Sequence, residues 1–277
     1  MGRIRLGALV AAALACCLLL SLWIANRVSG GGPAHAASPV VLERGRGACE
    51  QRIESQPRPL PVVAIVGASY TTGVGPGNPE LSWAVLLARQ LRWNAVIDGD
   101  SGAGYVKAGD GGRGPMNHLL SQEDLGRLRP ALVIVQAGHD DAGVPLWLES
   151  RQVGATLDMI RSAAPGARIA LLTTFTGGAF PATRTGGGSP LLRGTDRAIV
   201  TAGSAADPQV IIMDPLAGGW KFPRAADGLH PTAAGDQWIA RTVAAILRAH
   251  GVLPAAATAT APLICDVSAG AGRPATD

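Results

Sequence analysis

The chain has 277 residues, 47% of them apolar and 16% charged, with 24 Lys and Arg against 20 Asp and Glu, which is enough apolar sequence for one sizeable core. Arg3, Arg5 and Arg27 all precede the first acidic residue, Glu43, so the rest of the chain is nearly neutral. That balance excludes a nucleic-acid partner, whose phosphates need clustered Lys and Arg on one face.

Arg3 and Arg5 precede an uncharged apolar stretch from Leu6 to Ala25, followed by Asn26, Arg27 and a Gly-rich linker to Pro33. This is the pattern of an export leader. The stretch is also long enough to span a bilayer, while Ala34-His35-Ala36 supplies an Ala-x-Ala cleavage pattern. Residues 1–36 are therefore expected to form a signal peptide or an N-terminal membrane anchor, and the protein to act outside the cytoplasm, secreted or anchored. Apolar residues continue past Cys16 and Cys17, which argues against lipidation there. A linker and N-terminal segment, 37–60, precedes one main domain over 61–251. A Pro/Ala/Thr-rich tail follows at 252–277.

Cys49 and Cys265 are the two cysteines beyond the leader. In an oxidising compartment such a pair is expected to form a disulfide, here tying the tail to the N-terminal segment. Two cysteines so far apart lack the close ligand spacing of a zinc site.

The run Val62-Val63-Ala64-Ile65-Val66 is short, mostly β-branched and apolar throughout, as a central parallel strand covered on both faces would be. Gly67-Ala68-Ser69 then delivers a serine to the strand's carboxyl end, where open α/β sheets build their sites. As a lone residue, Ser69 would equally well cap the next helix. Leu81, Val85, Leu86 and Leu91 form a helical stripe, and Asn94 to Asp98 a second strand. Leu119 to Leu128 reads as a helix stopped by Pro130, Ala131 to Ala137 as a third strand and Pro145 to Ala164 as a long helix. A fourth strand, Ala167 to Thr174, leads into a loop with Gly177-Gly178 and Gly186-Gly187-Gly188 that is expected to sit over the site. Leu191 to Ala206 is helical, Val210 to Met213 a fifth strand, and Trp238, Ile239, Val243, Ile246 and Leu247 mark one face of the last helix. The alternation predicts a parallel sheet of five strands wrapped by helices.

A nucleophilic serine needs a base, and histidine is the side chain whose ordinary pKa lies nearest neutrality. Of five histidines, His35 lies in the leader or linker, His118 on a short polar helix and His250 at the end of the last helix. His139, after the third strand, and His230, before the last helix, could both face the crevice. Asp227 precedes His230 by three residues and could accept its ring N–H, fixing the tautomer. Donors for an oxyanion could come from two turns at the same edge, Ser101-Gly102-Ala103-Gly104 and Gly138-His139-Asp140-Asp141.

Other motifs fail on spacing or order. Gly99-Asp100-Ser101-Gly102 has only His35 upstream, the wrong order and fold class for a trypsin-like serine. Gly67 to Gly75 lacks both the Gly-x-Ser-x-Gly elbow and the Lys-Ser/Thr of a phosphate loop. Gly102, Gly104 and Gly109 miss the Gly-x-Gly-x-x-Gly spacing of a dinucleotide fingerprint. His139, Asp140 and Asp141 are adjacent, and neighbouring residues on one turn seldom converge on a metal.

Taken together and in order, Gly67-Ala68-Ser69 with Gly73, Gly102, Gly138-His139-Asp140-Asp141, and Asp227 with His230 resemble the four blocks of the SGNH hydrolases, the GDSL esterases and lipases, over roughly Val62 to Gly251. The resemblance implies a flavodoxin-like three-layer α/β/α sandwich. It implies Ser69 as nucleophile, His230 as base, Asp227 as its orienting acid, and an oxyanion hole from the Ser69 and Gly102 amides and the Asp140 position. No cofactor and no metal are expected. Two positions depart from the family pattern. Ala68 stands where the GDSL name has Asp, and Asp140 where an asparagine amide normally donates; an ionised carboxylate can only accept. The expected activity is hydrolysis of an O-acyl ester of a carbohydrate, lipid or cell-envelope component. An O-acyltransferase on envelope glycans and a catalytically silent envelope-binding domain are the alternatives.

Overall fold

The computed structural model describes residues 41–44, 46–56, 60–176, 189–252 and 261–268. The leader over 1–36, the glycine-rich loop over 177–188 and most of the tail lie outside the described residues, as do the expected boundary at residue 36 and any membrane anchoring.

Among the described residues seven strands form one fully parallel sheet: β1 (Val41–Arg44), β2 (Val62–Gly67), β3 (Asn94–Gly99), β4 (Leu132–Gln136), β5 (Arg168–Leu172), β6 (Ile211–Met213) and β7 (Leu263–Asp266), in the order β1-β7-β3-β2-β4-β5-β6. The expected five strands are the contiguous block β3-β2-β4-β5-β6. The sheet is larger by β1 and β7, which pair with each other from Val41↔Leu263 to Arg44↔Asp266, while β7 also pairs with β3. Part of the expected tail is thus a buried strand, held by ladder hydrogen bonds and by the Cys49–Cys265 disulfide, whose Cα atoms are 5.7 Å apart.

The helices are α1 (Arg46–Glu54), α2 (Ser69–Thr72), α3 (Trp83–Leu91), α4 (Met116–Ser121), α5 (Leu125–Leu128), α6 (Leu146–Ala163), α7 (Pro190–Ala206) and α8 (Ala233–Ala249). Where one helix was expected over Leu119 to Leu128 there are two. Asp124 accepts from the Arg127 amide at 3.0 Å and caps a new helix instead of continuing the old one, the preference that makes Asp a helix starter.

Successive strand residues point to opposite faces. On one face Val63, Ile65, Ala95, Ile97, Leu132 and Ile134 pack against α3 and α8; on the other Ala64, Val66, Val133, Val135 and Leu171 pack against α4 to α7. Each fully buried Val, Ile or Leu contributes about 1.5–3 kcal/mol, so β2, buried at every position, anchors the sandwich. Its neighbours are β3 and β4, reached by connections in opposite directions. That reversal leaves a crevice at the carboxyl end of β2.

Candidate active site

Ser69 begins α2 directly beyond β2. The turn is tight: a Cβ on Gly67 would lie 2.2 Å from Thr71 Oγ1, so only glycine fits. Gln136, the last residue of β4, holds the turn from the side, its Oε1 accepting from the Ala68 amide at 3.2 Å and from Thr71 Oγ1 at 2.9 Å. In sequence Gln136 reads merely as a strand end, and only its pairing opposite Gly67 gives it this task.

His230 reaches the serine from the loop before α8. Its Nε2 lies 2.8 Å from Ser69 Oγ and its Nδ1 2.7 Å from Asp227 Oδ2. The other Asp227 oxygen accepts from the Leu229 and His230 amides at 2.8 and 3.0 Å. Partial burial pushes the Asp227 carboxyl up, but the hydrogen bonds from the His230 ring and these amides outweigh it and hold it below the ordinary carboxylate range. Asp227 therefore stays ionised and fixes the ring with Nδ1 as donor and Nε2 facing the serine. The approach depends on Gly75, where a Cβ would fall 2.0 Å from the Pro231 carbonyl oxygen and 2.9 Å from His230 Cβ.

Two residues absent from the expected site brace this loop. Tyr70 Oη and Arg224 Nη1 each donate to the Leu229 carbonyl at 2.7 Å, and Arg224 Nη2 donates to Thr176 Oγ1 at 3.0 Å. Tyr70 stacks on Phe175 with ring centres 4.3 Å apart, and Arg224 lies 4.3 Å over the Phe222 ring. Tyr70 reaches Leu229 across 159 positions and Arg224 reaches Thr176 across 48, separations no local motif reports.

The turn carrying Gly102 sits beside the serine: the Asp100 amide donates to the Gly67 carbonyl at 3.1 Å, and Thr72 Oγ1 is 3.2 Å from Ser101 Oγ. Ser101, the rejected alternative, meets that threonine, and among the described residues no histidine hydrogen-bonds to it. The amide of Ser69 is the first of its helix, and neither it nor the Gly102 amide donates to a backbone acceptor among the described residues, so both are open to a ligand.

On the far side of the crevice, Asp140 is half-buried. Burial, and next the charge of Asp141, push its carboxyl up to about 6. Asp141 is fully buried and turns into the 105–107 loop, accepting from the amides of Tyr105 at 2.6 Å and Lys107 at 3.0 Å. Beneath it Glu149 is buried and pushed up to about 9, first by desolvation and then by Asp141. Ionised, Glu149 would have no donor; protonated, it donates to Asp141. His139 is buried, brought down to about 4 mainly by desolvation, and its ring centre lies 6.5 Å from that of Tyr70. It is neutral, and the histidine in hydrogen-bond contact with Ser69 is His230. His118 and His250 are exposed on α4 and at the end of α8; His35 lies outside the described residues.

A parallel sheet flanked by helices, with a Ser-His-Asp row at the carboxyl edge of its central strand, defines a serine hydrolase of the flavodoxin-like, SGNH type. Residues 65–238 match the GDSL-like lipase/acylhydrolase family, and the chain belongs to it. It is a serine ester hydrolase. The "GDSL lipase Rv0518" of Mycobacterium tuberculosis is 29% identical over 201 residues, 67% of this chain and 80% of that protein. A family two carbohydrate esterase from Clostridium thermocellum, solved with cellohexaose, superposes with TM-score 0.54 at 21% identity, over 72% of this chain and 67% of its own. Est24, a carbohydrate acetylesterase from Sinorhizobium meliloti, superposes with TM-score 0.55 at 16% identity, over 68% and 99%. At these identities the solved structures share the fold.

Proposed function

We propose that the protein hydrolyses O-acyl esters of a carbohydrate through an acyl-serine intermediate on Ser69. The observation that carries this reading is the unbroken row of contacts from Ser69 Oγ to His230 at 2.8 Å and on to Asp227 at 2.7 Å. His230 Nε2 takes the hydroxyl proton as Ser69 Oγ bonds to the ester carbonyl carbon. Asp227 stabilises the imidazolium. The carbonyl oxygen, now negative, is met by the Ser69 and Gly102 amides and by Asp140 in its protonated form, which can donate. Collapse breaks the bond to the alkoxy oxygen, and His230 returns the proton to it, releasing the alcohol. Water then repeats the sequence on the acyl-serine and releases the carboxylic acid.

The carbohydrate half of the proposal is supported by the carbohydrate esterases that share the fold. Action outside the cytoplasm is supported by the Arg-flanked apolar leader and by the Cys49–Cys265 disulfide, which persists in oxidising compartments. The test is a fluorophosphonate probe combined with p-nitrophenyl acetate and acetylated oligosaccharides. Ser69→Ala should abolish labelling and turnover, while Ser101→Ala should retain both. Labelling that survives in Ser69→Ala sinks the assignment.

A further inference from the structure

Three large apolar side chains are exposed among the described residues: Leu146 at 48%, Trp147 at 67% and Leu191 at 55%. They are neighbours, sitting in the first turns of α6 and α7. The position a Cβ would take on Gly194 lies 3.5 Å from Leu146 Cδ2, and that on Gly143 lies 3.8 Å from Leu191 Cδ1. The cluster also has a place relative to the sheet. Ile199 of α7 closes on Gly138 at the carboxyl end of β4, and Leu191 precedes Ile199 by two helical turns, about 12 Å. The apolar cluster therefore projects beyond the edge on which Ser69 stands, flanking the loop that carries Asp140.

In the two turns that carry it the exposed charges are of one sign. Within 146–151 and 190–197 the exposed charged side chains are Arg151, Arg193 and Arg197. Both acidic residues of these turns are withdrawn: Glu149 is buried against Asp141, and Asp196 is buried and accepts from Thr174 Oγ1 at 2.7 Å. A protruding tryptophan and two leucines rimmed by arginines match a membrane interface, where aromatic rings enter the headgroup layer and cations meet anionic lipid. A second copy of the chain fits less well. A stable dimer buries about 800 Å² per partner, more than three side chains provide, and a two-fold contact would set the arginines against each other.

We propose that the first turns of α6 and α7 seat the enzyme on an anionic lipid surface, with Leu146, Trp147 and Leu191 entering the interface and Arg151, Arg193 and Arg197 meeting the headgroups. The Ser69 crevice then opens beside the lipid, and esters displayed there reach it without leaving the surface.

The experiment reconstitutes the full chain with vesicles whose acyl chains are brominated and takes the emission of Trp147 as the difference between wild type and Trp147→Phe, so that attachment through the leader does not mask the result. Trp147 emission should be quenched with phosphatidylglycerol vesicles at low salt and restored by 0.5 M NaCl, which cuts the screening length to a few ångströms. Each Arg→Gln change among the three should raise the lipid concentration for half-quenching about fivefold. No quenching in phosphatidylglycerol, or equal quenching in phosphatidylcholine at high salt, overturns the proposal. Self-association without vesicles that disappears in Leu191→Ser would assign the patch to a second copy. Trp147→Ser/Leu191→Ser should hydrolyse a water-soluble short-chain ester like wild type. A loss there with unchanged Tm would make the patch part of the substrate site and overturn lipid docking, whereas an inactive wild type overturns only the proposed reaction.

Discussion

The hydroxyl of Tyr70 donates to the carbonyl oxygen of Leu229 at 2.7 Å, joining the residue after the serine to the residue before its histidine. The pair lies 159 positions apart in the chain, yet it sets the approach of His230 to Ser69. Burial holds the Tyr70 hydroxyl well above its ordinary pKa, so it remains a donor across the working pH range.

Tyr70→Phe removes that bond and leaves the Leu229 carbonyl to Arg224 alone. A hydrogen bond whose acceptor keeps another donor is worth about 1 kcal/mol, so kcat should fall about fivefold with KM unchanged. Steady-state kinetics on a soluble ester decide it. An unchanged kcat would show that Arg224 suffices to position the loop.

Asp140 predicts a pH signature. In the proposed oxyanion hole its carboxyl, pushed up to about 6, donates below that pH and adds a negative charge beside the oxyanion above it, so hydrolysis should fall as pH rises through about 6. Asp140→Asn should remove the alkaline limb and raise kcat/KM above pH 6 by up to about 10²-fold. If that variant, correctly folded, is slower at every pH, Asp140 has a positive role as a carboxylate.

Asp236, in the first turn of α8, is buried and accepts from the Trp83 amide at 2.9 Å, tying α8 to α3. Burial pushes its carboxyl up to about 8 against the hydrogen bond that lowers it. Because the folded state binds this proton more tightly than the unfolded one, the stability this group contributes is fully present at acid pH and is lost as pH rises from about 4 through about 8. Asp236→Asn keeps an acceptor for Trp83 and cannot ionise. Its Tm should therefore decline less than wild type between pH 5 and 9, and parallel declines would contradict the assignment.

The Cys49–Cys265 disulfide closes a span of 216 residues, for which loop-closure entropy gives nominally about 5 kcal/mol. Cys49→Ser/Cys265→Ser should lower Tm by ten degrees or more. Because Ser69 and His230 hang on β2 and the loop before α8, the double variant should retain kcat/KM below its transition. Equal loss of activity and stability would show that β1 and β7 support the crevice directly.

What the sequence determined by itself was the five-strand block from β2 to β6 and the order of its motifs. Val62 to Val66 and Leu132 to Val135 are continuous apolar runs, and burial on both faces is a local property that such runs carry wherever they occur. The termini of those strands placed Ser69, Gly102, Asp140 and His230 at one edge, because parallel strands all end on the same side. Tertiary structure decided the rest. Val41–Arg44 and Leu263–Asp266 are four-residue segments from opposite ends of the chain; nothing local distinguishes them from coil until they pair, since strand formation depends on partners more than on propensity. In sequence His139 and His230 could both face the crevice and Asp227 singled out His230; in the fold one is buried and neutral, the other 2.8 Å from the serine. Gln136, Tyr70, Arg224 and Asp141 gained their tasks only when chain segments far apart came into hydrogen-bond range. The environment of Asp140 also required the fold, because desolvation and the charge of Asp141 depend on what surrounds a carboxyl and not on its neighbours in sequence.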